Sequence, residues 1–356
     1  MSRQRSIFSL DGLRALSISL VMVAHLRKPA DIPGHAYLES LGPLGVSIFF
    51  VISGFLITHM LQRESVSRGC ISLRRFYVRR CFRIFPPFYT YLAILGVLSV
   101  ARMITLHLFS YLSAATYVSD YYGLRYLDWD LIHTWSLSIE EKFYLLWPLC
   151  LLLLSSKQAV RIAVGLFLVS PILRATTYAV APSLRPHMAY MFHTRIDTLM
   201  CGCLIALLYE EPAFGRLTRQ LFRPAIVGAS VLFLFVGSPF CVALFRGYYG
   251  VLVGPTLEAL CIGLLLLYVV GEPRSFLGRI LNMKVLRHIG VISYSLYLWQ
   301  QPFLPRLFFP LNVLLAFTCA ELSYWWIERP SQRMRDALGQ RTAAAAVTFI
   351  AQRFAR

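Results

Sequence analysis

The amino-acid sequence predicts an all-α fold: a polytopic integral membrane bundle of about ten transmembrane helices. Three observations predict it. Of 356 residues, 57% are hydrophobic and 15% charged, with a mean hydropathy of +0.61, and soluble domains are rarely so apolar. The apolar residues fall into repeated runs of about 20, the length that crosses a bilayer. The formal net charge of +18 is spread between those runs, which is what the positive-inside rule produces. That placement, with no groove-reading motif, argues against nucleic acid as a partner. It points instead to the lipid bilayer, whose cytoplasmic face is anionic.

Ten spans follow from hydropathy, at about 8–26, 42–61, 86–106, 132–154, 160–180, 192–209, 224–240, 249–270, 289–305 and 310–327. Segment 108–123 is too short and polar to cross, and is expected to be interfacial or re-entrant. No polar linker or low-complexity stretch divides the chain. Residues 1–330 are therefore expected as one transmembrane domain, and 331–356 as a short basic tail, poorly ordered. With residue 1 taken as cytoplasmic, 24 Lys and Arg fall on the cytoplasmic side and six on the other. Both termini are thus expected in the cytoplasm, in the plasma (bacterial inner) membrane. The first run has no small-residue cleavage site and is expected as a retained helix. Six of the eight cysteines lie inside apolar runs and read as small core hydrophobes. Cys201 and Cys203 are two apart, the wrong spacing to face one way on a helix, and no metal site is expected.

In the first span, "RALSISLVMVAH" opens on Arg14 and closes on His25. Eleven residues at 3.6 per turn return to nearly the same helix face, roughly 16 Å further along. Asp11, three residues before Arg14, is in reach for an ion pair. Ionisable groups inside a membrane span face the bundle interior or water and mark function by default. In the second span, "FVISGFLIT" (50–58) brings Ser53 and Gly54, small residues that let helices approach closely. No nucleophile-elbow pattern surrounds Ser53, so packing is the better assignment.

"RRFYVRRCFRIFPP" (74–87) interleaves five Arg with aromatics. It fits a helix lying in the interface, ahead of a span opened by Pro86 and Pro87. Such a segment either anchors to anionic lipid or cradles phosphate, which Arg matches bidentately. Arg80 and Arg83, at i,i+3, can share one ligand, with Arg75 nearby.

The fourth span opens with "HTWSLSIEEKFYLLWP" (133–148). His133 and Glu140, seven apart, share a face with Ser136. This sets Glu140 in the outer third, at a depth like that of His25. In "HTRIDTLMCGCLIALL" (193–208), Arg195 and Asp197 are two apart and each needs a partner on another span. "SYSLYLWQQPF" (293–303) adds Trp299, Gln300 and Gln301, which suit either sugar recognition or an interfacial aromatic belt.

These motifs resemble those of the acyltransferase 3 family of membrane O-acyltransferases. The resemblance runs from about residue 7 to 330. It rests on "LDGLRALSISLVMVAH", "GVSIFFVISGFLIT", "RRCFRIFPPFY", "HTWSLSIEEKFYLLWP", "RIDTLMCGCLIALL", "ISYSLYLWQQPF" and "WWIERP", in the family's order. It implies about ten spans and transfer of an acyl group, typically acetyl, from acyl-CoA to hydroxyls of glycans, glycolipids or small natural products. The family's Arg/His motif falls on Arg14 and His25, where the His is held to be catalytic. Its paired Arg fall on Arg80 and Arg83, and its Glu on Glu140. Some members carry His at the position of Gln300. The chain is expected to be the form without an additional soluble hydrolase-like domain.

The functional expectation is an acyltransferase with acyl-CoA, most simply acetyl-CoA, as donor substrate and no metal. Arg80, Arg83, Arg75 and Arg14 would bind the donor. His25 would be the general base, with Glu140 or Asp197 fixing its tautomer. Arg195, Asp197, Trp299 and Gln300 would meet the acceptor or the oxyanion. Asp11, Ser53, Gly54 and Glu328 would be structural. Two competing readings share the buried charges: a glycolipid transporter or flippase and a non-catalytic scaffold. Inverted repeats, which would favour a transporter, are not evident. Homo-oligomerisation is left open.

Overall fold

The computed structural model describes residues 8–26, 34–122, 128–245 and 247–338. Several residues used in the charge count (Arg3, Arg5, Arg27, Lys28, Arg125, Arg246, Arg341, Arg353 and Arg356) lie outside them, as does the part of the expected tail from 339 to 356. Among the described residues the architecture is helical throughout, with no strand.

Helix α1 (Phe8–His25) lies along α2 (His35–Arg68), a 34-residue helix that ends at Gly69. Gly69 adopts φ 73°, and its N–H returns to the Ser65 carbonyl at 2.8 Å, the left-handed stop that glycine makes without steric cost. Helix α3 (Leu73–Val100) is capped by Ser72, whose side chain accepts from the Arg75 N–H. It runs through Pro86 and Pro87 without ending. The expected interfacial helix and the third span are therefore one element. Proline removes a helical hydrogen bond but need not break a helix whose flanking turns are packed. Here Phe76, Ile84, Phe88 and Tyr91 are all buried on one side.

The described part of segment 108–123 contains no helix of membrane-crossing length. It begins as α4 (Leu108–Ala115), and the turns after it bury Ser119 and Asp120. The one-turn α5 (Trp129–Ile132) leads into α6 (Thr134–Leu153). Helix α7 (Ser156–Val180) opens on a capping box made by Ser155 and Gln158, and after a 3₁₀ segment (Pro182–Tyr190) comes α8 (Phe192–Leu208). Helix α9 (Pro212–Leu221) precedes α10 (Pro224–Leu232), which continues through a π turn into α11 (Ser238–Phe245). Helix α12 (Gly254–Gly271), α13 (Phe276–Leu281), α14 (Lys284–Val291), α15 (Ser293–Phe303) and α16 (Leu311–Ser323) complete the bundle. The last helix runs on through a π turn (Tyr324–Glu328) to Leu338, past the boundary expected at 330.

Helix α8 packs against α2 at backbone distance. A Cβ at Gly54 would stand 2.1 Å from the Leu199 carbonyl oxygen, and one at Gly202 would stand 2.0 Å from that of Val51. Glycine is the one residue that fits this crossing, as in other small-residue helix contacts in membranes.

Among the described residues, six helical segments are long and apolar enough to cross a membrane: Ala36–Arg68, Leu73–Val100, Ser156–Val180, Pro182–Leu208, Pro224–Phe245 and Tyr248–Gly271. The other four expected spans coincide with α1, α6, α15 and α16, which are not among these six. Ten crossings are thus not reached by this measure. The outer surface of the bundle is apolar: α7 exposes Leu166, Leu168, Val169 and Ile172, and α11 exposes Phe240, Leu244 and Phe245. A belt of that kind is a face for lipid, not water.

Candidate active site

Helices α1, α2, α3, α6 and α15 enclose a cavity of about 830 Å³, its mouth included. Arg14, Arg80 and Arg83 line it together with Glu140, Glu141, Ser53 and Tyr144. These residues come from four stretches far apart in sequence. Because α3 continues unbroken, Arg80 and Arg83 are carried into the bundle and not left at its surface. Arg14 approaches Asp11 at 3.4 Å. Arg80 lies over the Tyr144 ring at 4.8 Å, and the Tyr144 hydroxyl shares a 2.7 Å hydrogen bond with Ser53 Oγ. Glu140 lies among Ser53, Tyr144, Arg80 and Arg14. Three guanidiniums outnumber the two carboxylates of Glu140 and Glu141 in this lining, which suits an anion.

At the far end of the same face of α1, His25 is held in a separate cluster. Its Nδ1 is 3.0 Å from Gln300 Oε1, and its ring meets that of Trp129 edge-on at 5.5 Å. Gln300 Nε2 donates to Gln301 Oε1 at 2.7 Å, and Gln301 Nε2 donates to the Trp129 carbonyl at 3.0 Å. His133 is buried nearby, its ring edge-on to Tyr91 at 5.6 Å and to Tyr297 at 5.3 Å.

Glu140 thus shares the cavity of Arg14 and does not sit at the level of His25. The reason is axial: Glu140 is seven residues, roughly 10 Å, down α6 from His133. Asp197 is fully buried and taken up elsewhere. It accepts from Arg174 Nη1 at 2.9 Å, from Thr256 Oγ1 at 2.6 Å and from the Thr198 N–H at 2.9 Å. Arg195 donates to the Ala189 carbonyl at 3.0 Å and to Ser47 Oγ at 3.4 Å, and lies 5.9 Å from the Trp135 ring centre. Trp299 meets Tyr91 edge-on at 5.3 Å. Arg75 is paired with Glu64 at 2.8 Å, beside Arg79 at 3.3 Å, and is absent from the cavity lining. Glu328 is buried and accepts from Ser295 Oγ at 3.0 Å and from Gln332 Nε2 at 3.1 Å.

Two participants had no signal strong enough in the sequence. Tyr144 lies one helical turn after Glu140, so the i,i+4 rule places it on the same face, yet a Tyr there reads as ordinary bundle core. Trp129 lies ahead of the fourth span and meets His25 only through the packing of α5 on α15. Among the described residues no group of three His, Cys, Asp or Glu side chains is placed to hold a metal ion.

Comparison with known proteins accords with these features. Residues 7–327 match the model of an acyltransferase domain family. The chain is 29% identical over 364 residues to the peptidoglycan O-acetyltransferase OatA of Listeria monocytogenes, an alignment covering 91% of this chain and 56% of that protein. It is 30% identical over 378 residues to the O-acetyltransferase OatA of Staphylococcus aureus, covering 94% of this chain and 58% of that one. The chain therefore spans little more than half the length of these curated relatives. No solved structure matches it. A family model that covers nearly all of the chain, and contains every segment that builds the Arg14 cavity and the His25 cluster, decides the assignment: this chain belongs to the acyltransferase 3 family.

Proposed function

We propose that this chain is a membrane O-acyltransferase that moves an acetyl group from acetyl-CoA to a hydroxyl of a glycan. The observation that carries the reading is the gathering of Arg14, Arg80 and Arg83 in one cavity, on the helix face that leads to His25. Phosphate-bearing CoA suits the guanidiniums. The extended pantetheine arm suits the roughly 16 Å between Arg14 and His25. The relatives' printed names, O-acetyltransferase and peptidoglycan O-acetyltransferase, support acetyl as the group and a glycan as acceptor.

In this reading His25 takes the proton of the acceptor hydroxyl as its oxygen attacks the thioester carbonyl. The C–S bond breaks as the ester bond forms, and the CoA thiolate recovers the proton from the imidazolium. Arg80 and Arg83 hold the donor, Arg14 guides it inward, and Glu140 with Ser53 and Tyr144 shapes the cavity wall. Asp197 and Arg195 serve the fold. The chain crosses the plasma membrane ten times with both termini in the cytoplasm, so the donor enters from the cytoplasm and the acceptor is met near the outer surface.

Membranes containing the protein, given acetyl-CoA labelled in its acetyl group, should pass label into alkali-labile esters on glycan. His25→Ala membranes should not. Label that stays in acetyl-CoA with both proteins would overturn the reading.

A further inference from the structure

We propose that Gln300 and Gln301 form a two-amide relay, anchored on the Trp129 carbonyl, that holds His25 as its Nδ1–H tautomer and leaves Nε2 as the basic nitrogen. The inference rests on the reading of His25 as the general base. It makes both glutamines positioning residues and moves Gln300 away from the acceptor role expected from sequence.

Donors and acceptors alternate from the Trp129 carbonyl to His25. A backbone carbonyl can only accept, so the Gln301 atom 3.0 Å from the Trp129 oxygen is the amide nitrogen. That turns the Gln301 oxygen toward Gln300. The Gln300 atom 2.7 Å from it must then be a donor, its own amide nitrogen. The Gln300 oxygen is left facing His25 Nδ1 at 3.0 Å. An amide oxygen cannot donate, so Nδ1 carries the proton. In a neutral imidazole the lone pair is then on Nε2.

Flipping either amide would set two donors or two acceptors against each other. Both glutamine side chains are 0% exposed, so water is not at hand to relieve a mismatch, and an unmade buried hydrogen bond is costly. A second contact locks the anchor itself: Trp129 Nε1 donates to the Gln301 backbone carbonyl at 3.1 Å. Trp129 and Gln301 are thereby joined in both directions, between α5 and α15. The Trp129 ring, edge-on to His25, limits rotation of the imidazole.

A carboxylate orients the histidine of many general-base sites and adds a full negative charge. In this chain Glu140 and Asp197 are engaged elsewhere. Among the described residues, two neutral amides supply the orientation on the Nδ1 side.

The test uses the full chain in detergent with ¹⁵N-labelled histidine, the His25 signals being assigned by their loss in His25→Gln. In the wild type, Nδ1 should show the shift of a protonated nitrogen and Nε2 that of an unprotonated one. Gln300→Met removes the contact. Gln301→Met keeps Gln300 in place but frees its amide to turn, so His25 should become a mixture of tautomers in both. Release of CoA thiol from acetyl-CoA, with chitotetraose as acceptor probe, should fall about ten- to a hundred-fold in kcat, the usual effect of losing an orienting partner. The KM for acetyl-CoA should stay within about twofold, since a positioned base acts on the chemical step. An Nε2–H tautomer in the wild type, or wild-type tautomer and rate in both variants, would overturn the relay. Full activity in His25→Ala would overturn the base reading instead. It is told apart because it leaves the wild-type nitrogen signature unchanged.

Discussion

The Nδ1 atom of His25 lies 3.0 Å from Oε1 of Gln300, a residue 275 positions later in the chain. The contact joins α1 to α15 at the end of α1 remote from Arg14. It gives one helix face two different environments: a charged cavity around Arg14 and, among the described residues, a pair of amides beside His25. A donor with an anionic head and a reactive acyl end matches that polarity, and the following predictions test it.

His25→Ala should fold, bind acetyl-CoA, and lose transfer by ~10²–10⁴-fold, the usual contribution of a positioned base. His25→Gln should not restore activity, because an amide cannot take up the proton at neutral pH. A structural histidine would behave the other way, with Gln tolerated and Ala unfolded. Steady-state kinetics on both variants, with thermal melts as a folding control, decide between the two.

Arg80→Ala and Arg83→Ala should each weaken acetyl-CoA binding several-fold or more, since a hydrogen bond to a charged group is worth about 1.5–3 kcal/mol. Arg75→Ala should change donor affinity far less, because Arg75 is paired with Glu64 and absent from the cavity lining. Equilibrium binding of acetyl-CoA to the three variants checks the ranking. Equal affinities throughout would reduce the basic segment to a lipid anchor.

Asp197→Asn should destabilise the protein strongly, by about 3–5 kcal/mol, because it strands the buried Arg174 guanidinium. Replacing both partners with apolar residues, Arg174→Met with Asp197→Leu, should recover much of that loss. Melting temperatures in detergent provide the measurement. A tolerant Asp197→Asn variant with impaired transfer would return Asp197 to the active site.

Gly202→Leu should abolish folding or yield, since even a Cβ there would meet the Val51 carbonyl oxygen at 2.0 Å. Backbone cannot yield as a flexible side chain can, and over-packing commonly costs about 1–3 kcal/mol or more. Gly165→Leu, on α7 with no atom within 4 Å of its Cβ position, should be tolerated. Size-exclusion profiles of the two variants are the comparison.

The topology predicts that exposed Cys70 reacts with a membrane-impermeant maleimide only in inverted vesicles. A Ser183→Cys variant in a Cys70→Ser background should react only in right-side-out ones. Labelling of both from one side would overturn the arrangement with cytoplasmic termini.

The sequence by itself determined the helical membrane class, because apolar runs of bilayer length and basic connectors are local properties of the chain. It also determined that Arg14 and His25 share a face, which follows from 3.6 residues per turn, and it singled out Arg80, Arg83 and Glu140. Tertiary structure alone decided partnership. Whether Glu140 meets His25 or Arg14 depends on the axial offset between α1 and α6, and hydropathy locates span ends only to within a few residues. Asp197 chose Arg174 because α7 and α8 pack closely, and no periodicity within either helix encodes that. Likewise, Pro86 and Pro87 read locally as a helix start, while packing of the turns on both sides carries α3 through them. Gln300 and Gln301 suited either sugar recognition or an interfacial belt until α5 and α15 came together. A hydrogen-bond partner is set by the relative depth and rotation of two helices, and that information belongs to the packed bundle, not to either helix.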